Sequence, residues 1–343
     1  MPSQTVPECP TGPLPTSYLQ DNYMIKKLTN GCFGDVYASI PKARADRILT
    51  AYKRALATKR KTLVDLREAL QVVKISDIPC DNGYRSDSGD DLNLEVDILQ
   101  RFAPASSSNI VSVLSCDPLR EGKNWYTLEL LTAGSLEDLL EAYTEPSSTM
   151  PFCPEAFIWH ILHQLTSALL LIHFGIVGDQ RLRNLPASRH GDVHLGNLLM
   201  RKPDPNSPSS FRDYPDIVLA DFGQARPLPT NSAARSRAMS FHRQVRDAKD
   251  GIAAVERVAR TGTFYGANLA TIWDDFSSLL RSENNESGEN EDLMHKMLAL
   301  RRAAAQRRES RYEPLPERVS AWMARETVSW EEFEEVFAVL KSS

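Results

Sequence analysis

Between Phe157 and Val177 the chain reads FIWHILHQLTSALLLIHFGIV, a run long enough to cross a bilayer. A segment this apolar has two outlets: a membrane, or a core that surrounds it. His160, His163, Gln164 and His173 interrupt the run, and no aromatic or basic anchors frame it. The expected outcome is a core helix buried in a large shell. A chain of 343 residues, 42% of them hydrophobic, can supply that shell and is long enough for two domains or two lobes of one.

The remaining composition narrows the partners. Charged residues make up 25% with both signs interspersed, and the net charge of −5 carries no footprint of nucleic-acid binding. Five cysteines (Cys9, Cys32, Cys80, Cys116, Cys153) are odd in number and form no CxxC pair. That pattern favours reduced thiols in a cytoplasmic or nuclear setting. Residues 1–17, MPSQTVPECPTGPLPTS, have no basic stretch leading into an apolar one, so they read as a disordered Pro-rich tail rather than a signal peptide.

Strand signals crowd the first 130 residues. MIKKLTNGCFGDVYASI (24–40) reads as two strands around a Gly-containing turn, QVVKIS (71–76) as a short strand, and NIVSVLSC and WYTLELL as two more. Residues 42–70 form a charged helix or helix pair, and LNLEVDILQRF an amphipathic helix with Leu92, Val96 and Leu99 on one face. Helix signals dominate from GSLEDLLEAY onward, broken by loops and strands at about 186–223 and an irregular segment at about 224–247. The expected class is α+β: a small sheet-rich part, then a larger, mainly helical part.

Five features along this order carry chemistry. Gly31 and Gly34 sit between two strands, where backbone N–H groups can approach a phosphate, although most Gly-containing hairpins are only turns. Lys74 stands mid-strand in an apolar run. Glu95, on the next helix, can pair with it to fix an ammonium for an anionic ligand, or can be a solvated helix residue. HGDVHLGNLL (190–199) places Asp192 and Asn197 on one tight loop before an apolar strand. DFG (221–223) places Asp221 at the end of another. An aspartate and an asparagine supply the oxygen ligands that Mg²⁺ prefers.

Taken together, these segments resemble a eukaryotic protein kinase domain, divergent in its HGD-type catalytic loop, from about Tyr18 to the C-terminus. The resemblance implies a bilobal fold: an N-lobe at 18–130 with a small antiparallel sheet and one key helix, and a larger, mainly helical C-lobe at 131–343. LTNGCFGDVY resembles the loop over the ATP phosphates. VVKI carries the phosphate-binding Lys74, with Glu95 as its partner, and LELLTAGSLEDLL resembles the hinge and the helix after it. Leu128 then backs the adenine pocket, Glu129 to Leu131 offer backbone hydrogen bonds to the base, and Val36, Val72 and Leu199 cover its faces. Asp192 orients the acceptor hydroxyl and takes its proton, Asn197 and Asp221 hold Mg²⁺, and Asp250 buttresses the catalytic loop. The implied activity is transfer of the γ-phosphoryl group of Mg·ATP to Ser or Thr hydroxyls of proteins, with ATP and a protein acceptor as partners and neither nucleic acid nor membrane.

The departures from that pattern matter. Thr29 stands where the first loop glycine is usual, Gly191 replaces an arginine that pairs with a phosphorylated activation loop, and His194 replaces a lysine that contacts the γ-phosphate. No APE follows DFG; Arg226, Arg235, Arg237, Arg243 and Arg246 do. Two insertions stand out, 42–70 and 178–189. Two other functions stay open. One is a pseudokinase that uses the insertions as docking surfaces. The other is a small-molecule kinase of the aminoglycoside or choline phosphotransferase type, to which HGD-x-H-x-G-N is similar.

Overall fold

The computed structural model describes residues 15–31, 34–54, 56–75, 92–105, 107–117, 125–145, 153–182, 185, 187–202, 214–228, 234–260, 289–310, 312–325 and 327–340. The Pro-rich residues 1–14, Cys32 and the loop 77–91 lie outside the described residues. The architecture is mixed α+β: a five-stranded antiparallel sheet and a mainly helical remainder. The chain divides into two compact units. One takes Met1–Val96, Ser112–Leu130 and Glu326–Ser343; the other takes Asp97–Val111 and Leu131–Arg325.

In the first unit, α1 (Thr16–Asp21) leads into β1 (Asn22–Gly31) and β2 (Gly34–Pro41). Helices α2 (Lys42–Lys53) and α3 (Lys59–Glu68) follow, then β3 (Gln71–Ile75), the start of α4 (Leu92–Phe102), β4 (Val113–Cys116) and β5 (Trp125–Glu129). Strand order is β1-β2-β3-β5-β4. The two-residue side-chain period of strands sorts the sheet into two faces. Tyr37, Val73, Ile75 and Trp125 pack with Tyr18 of α1, and the Tyr18 hydroxyl lies 2.6 Å from Ser39 Oγ. On the opposite face, Ala38 and Ile40 pack with Ala45, Leu66 and Leu70 and with Phe333 and Phe337 of the C-terminal helix Trp330–Leu340. Arg67 Nε donates to the Val328 carbonyl at 3.0 Å, and Lys26 pairs with Glu332 at 3.1 Å. The 42–70 insertion is therefore a helix pair, and its apolar side is core.

In the second unit, α5 (Leu136–Thr144) opens with a capping box between Ser135 and Asp138. The apolar run is α6 (Glu155–Phe174), closed by Gly175 at φ +66. It buries every residue except Glu155, His163 and Ser167, as a core helix should. A hairpin of β6 (Ile176–Val177) and β7 (Gln180–Arg181) follows, then β8 (Ser188–Arg189), β9 (Leu198–Arg201), β10 (Asp216–Leu219) and β11 (Arg226–Pro227). Strands β9 and β10 pair, as do β8 and β11. Helices α7 (Ala234–Ala259), α8 (Glu289–Ser310) and α9 (Glu317–Met323) complete the unit; the C-terminal helix is α10. The segment read as irregular up to 247 is thus helical from Ala234. Gly251 is the reason α7 packs so closely, since a Cβ there would lie 3.0 Å from Leu165 of α6 and 3.3 Å from Val193.

Candidate functional site

Each unit carries its own group of the residues singled out from sequence. On the first unit, Lys74 Nζ and Glu95 Oε2 lie 2.9 Å apart, with side chains only 8% and 2% exposed. Register places Val36 opposite Lys74, and Val72 between Ala38 and Leu128, so Val36, Val72, Lys74 and Leu128 share one sheet face. Val36 and Val72 stay half-buried there, while Val73 on the other face is fully buried. Gly31 ends β1 and Gly34 opens β2, and the two face each other across the hairpin. The hairpin is strapped by Lys27 and Asp35 at 2.6 Å, with Tyr37 donating to Asp35. Burial raises the Asp35 pKa, but Lys27 and Tyr37 outweigh it and hold the carboxyl below its ordinary value. Glu129 clasps Ser112: its N–H donates to the Ser112 carbonyl at 3.1 Å and its carboxylate accepts from Ser112 N–H at 2.9 Å. That N–H is committed within the sheet.

On the second unit, the loop 190–197 is fixed from three sides. His190 is fully buried and lies edge-on to Phe222 at 4.6 Å. Its Nε2 donates to the Ala220 carbonyl at 3.1 Å, and its Nδ1 accepts from Asp192 N–H at 3.3 Å. Burial holds its pKa below the ordinary value against the opposing pull of Asp247, which suits this neutral tautomer. Ala220 also donates its N–H to the Asn197 carbonyl at 2.9 Å. Both polar groups of Ala220 are thereby tied to the loop, and they set the start of the next residue, Asp221. Asp221 stands at φ +56, the one non-glycine residue at positive φ among the described residues. Aspartate tolerates that conformation better than most residues, because its side chain can bond locally; here it accepts from Gly223 N–H at 3.4 Å.

Asp192 is the exposed end of this arrangement. Asn197 Nδ2 donates to the Asp192 carbonyl at 2.9 Å and to Asp192 Oδ2 at 3.2 Å. His194 Nε2 lies 3.6 Å from the same Oδ2, and His194 Nδ1 accepts from Gly196 N–H at 3.1 Å. The imidazole caps its own loop and steadies Asp192. One carboxylate oxygen is thus held while Oδ1 has no partner among the described residues, on a side chain 43% exposed. Leu199 lies in β9 opposite Val218, and Leu131 is buried in the same unit.

The buttress of this loop is Asp247, not Asp250. Asp247 Oδ2 accepts from His190 N–H at 2.7 Å and lies 3.1 Å from His173 Nε2, while Oδ1 accepts from Gly191 N–H at 2.9 Å. Asp250, one turn on, faces solvent beside Arg246 at 3.6 Å. The helical phase of α7 carried the signal. Asp247 shares its stripe with the buried Gln244, Ala248, Gly251 and Val255, whereas Asp250 shares its stripe with the exposed Arg246, Ala253 and Arg257.

No family model and no curated protein matches this chain.

Gly191 has a local reason that sequence spacing does not show. Its φ is +88, and a Cβ there would meet the Gln224 carbonyl at 2.8 Å. An arginine at this position has no room on this backbone. Gly191→Ala is expected to destabilise the protein by about 1–3 kcal/mol, and Gly191→Arg by at least as much. Urea denaturation measures this directly, and an unchanged midpoint for Gly191→Ala contradicts the described loop.

Proposed function

We propose that the chain is an ATP-dependent phosphotransferase with a two-lobed protein-kinase fold, acting on Ser or Thr hydroxyls of proteins. The observation that carries the reading is the Asp192–Asn197 lock: an accessible carboxylate held through one oxygen, with the other open to an acceptor hydroxyl. A carboxylate so held can orient the hydroxyl and take its proton.

The other groups support the same chemistry. Lys74, fixed by Glu95, is a pre-placed cation for phosphate oxygens. Val36, Val72 and Leu128 give the first unit an apolar face for a base, and Leu199 gives one to the second. Both amide hydrogens of Asn197 go to Asp192, which leaves its Oδ1 as an oxygen ligand; with Asp221 this is a donor set that fits Mg²⁺. When bound, the ion neutralises charge on the phosphates. His194 caps the loop through Nδ1 and keeps Nε2 beside Asp192 on an exposed side chain, within reach of a phosphate acceptor.

One observation favours a second reading, a small-molecule acceptor. Helix α7 begins at Ala234, soon after Gly223, so little chain is left for a platform that holds a peptide.

The test is thermal unfolding with ATP, with and without Mg²⁺. Ligand at a hundred times its dissociation constant adds about 2.7 kcal/mol, a rise of several degrees. Asp221→Asn should remove the Mg²⁺-dependent part of that rise. No rise at millimolar ATP overturns the reading and leaves an interaction module. If the rise is present, acceptor assays with proteins and then with hydroxylated metabolites separate the two substrate classes.

A further inference from the structure

Two of the three α6 residues that escape burial, His163 and Ser167, stand one turn apart and line a cavity of about 420 Å³. The loop 107–109, the β6–β7 turn and the Arg301–Ala305 face of α8 form its other walls. These walls are pinned: Asn109 Nδ2 donates to the Ile217 carbonyl at 3.1 Å, and Arg201 Nη1 to the Ser108 carbonyl at 2.6 Å. None of the lining residues belongs to the group assigned to phosphotransfer, so this site stands independently of that assignment.

The charges in the cavity are poorly matched. Arg301 is 7% exposed, and its Nη2 lies 3.0 Å from Asp179 Oδ1. Arg302 Nη2 lies 3.2 Å from the same oxygen. One carboxylate therefore serves two guanidiniums through a single atom, and that carboxylate is 71% exposed at the rim. A buried guanidinium needs a close anion, and a rim side chain largely in water is an easily replaced one. His163 Nδ1 is buried without a hydrogen-bond partner among the described residues, an uncommon condition that a ligand atom would relieve. Burial, with Arg308 and Arg301 nearby, pushes the His163 pKa down to about 4, so the ring is neutral at pH 7.

We propose that this cavity binds a small phosphate monoester, its dianionic head on Arg301 and Arg302 in place of Asp179 and its body against His163 and Ser167. Once Asp179 swings out, the two guanidiniums present two positive charges to a dianion, with planar donors suited to phosphate oxygens. The volume falls in the range of small-molecule sites, and Leu171 adds an apolar wall beside the polar stripe.

Calorimetric titration of the full chain with inorganic phosphate at pH 7.5 tests the head-group site. Saturable binding is expected. Arg302→Gln, at an exposed position that should not perturb folding, is expected to weaken it by about tenfold or more. Asp179→Asn is expected to tighten it, because the competing carboxylate is gone; a purely structural Asp179 would not do this. The proposal fails if phosphate shows no saturable binding, or if neither substitution moves its Kd, or if Asp179→Asn weakens it.

Discussion

Asp192→Asn is expected to lower kcat by about 10²–10⁴-fold, the range for loss of a positioned general base, while ATP binding stays essentially unchanged. The geometry makes this substitution a clean one. Asn197 donates to Asp192 Oδ2, so an asparagine at 192 would turn its own oxygen toward Asn197. Its amide nitrogen would then occupy the place of Oδ1. A donor would stand where the acceptor hydroxyl needs a base, and the loop would keep its shape. Asp192→Ala is a poorer probe, since Asn197 would keep only the backbone carbonyl at 2.9 Å and lose half of the lock. The comparison to make is initial rate against nucleotide-induced stabilisation for the same preparation. Turnover that survives in Asp192→Asn rules out the role given to this carboxylate. Loss of both turnover and nucleotide stabilisation instead marks a loop that has collapsed.

How much of this was legible beforehand depends on whether a feature is local. The buried helix was, because a twenty-residue apolar run interrupted by His160, His163, Gln164 and His173 fits a core better than a bilayer. The β1–β2 hairpin, β3 and β5 were, because each alternates or clusters β-branched and aromatic residues between clear turn signals. Lys74–Glu95 was legible as a candidate pair, because a lysine amid apolar residues must find an anion. What escaped was long-range. Nothing in residues 42–70 announces that Ala45 and Leu66 meet Phe333 and Phe337 from the far end of the chain. Gly191 reads as a missing arginine in the sequence, and only its φ and the Gln224 carbonyl show why no side chain is there. His194 reads as a weak substitute for a cation, yet its Nδ1 is occupied by Gly196. The choice between Asp247 and Asp250 was within reach. Both lie on one helix, and the apolar phase of that helix already separated the inward position from the outward one.

Asp247→Ala should have the largest effect on stability. Its carboxylate takes hydrogen bonds from His190 N–H and Gly191 N–H, and its Oδ2 meets His173 Nε2, all where the side chain is only 3% exposed. Alanine would strand the His190 N–H in a dry site and leave the part-buried Gly191 N–H and His173 without their acceptor, at a cost of about 3–5 kcal/mol. That is a large part of the 5–15 kcal/mol or so that a typical domain has. Asn can accept from only one of the two backbone donors and turns an N–H toward the other, so it should fall between wild type and Ala. Activity should drop in both variants although Asp247 meets no substrate, because the backbone of His190 and Gly191 sets where Asp192 stands. The pH dependence distinguishes this anchor from mere packing. Burial raises the Asp247 pKa, but His173 and the two backbone N–H groups outweigh it, so the folded value lies below the ordinary 3.8. A depressed carboxylate pKa contributes stability that is fully present above the unfolded value and is lost as pH falls through the folded one. The gap between wild type and Asp247→Ala should therefore be constant near neutrality and narrow only below about pH 4. Urea midpoints across that range provide the measurement. A gap that persists unchanged into strong acid would show that volume, not charge, holds the loop.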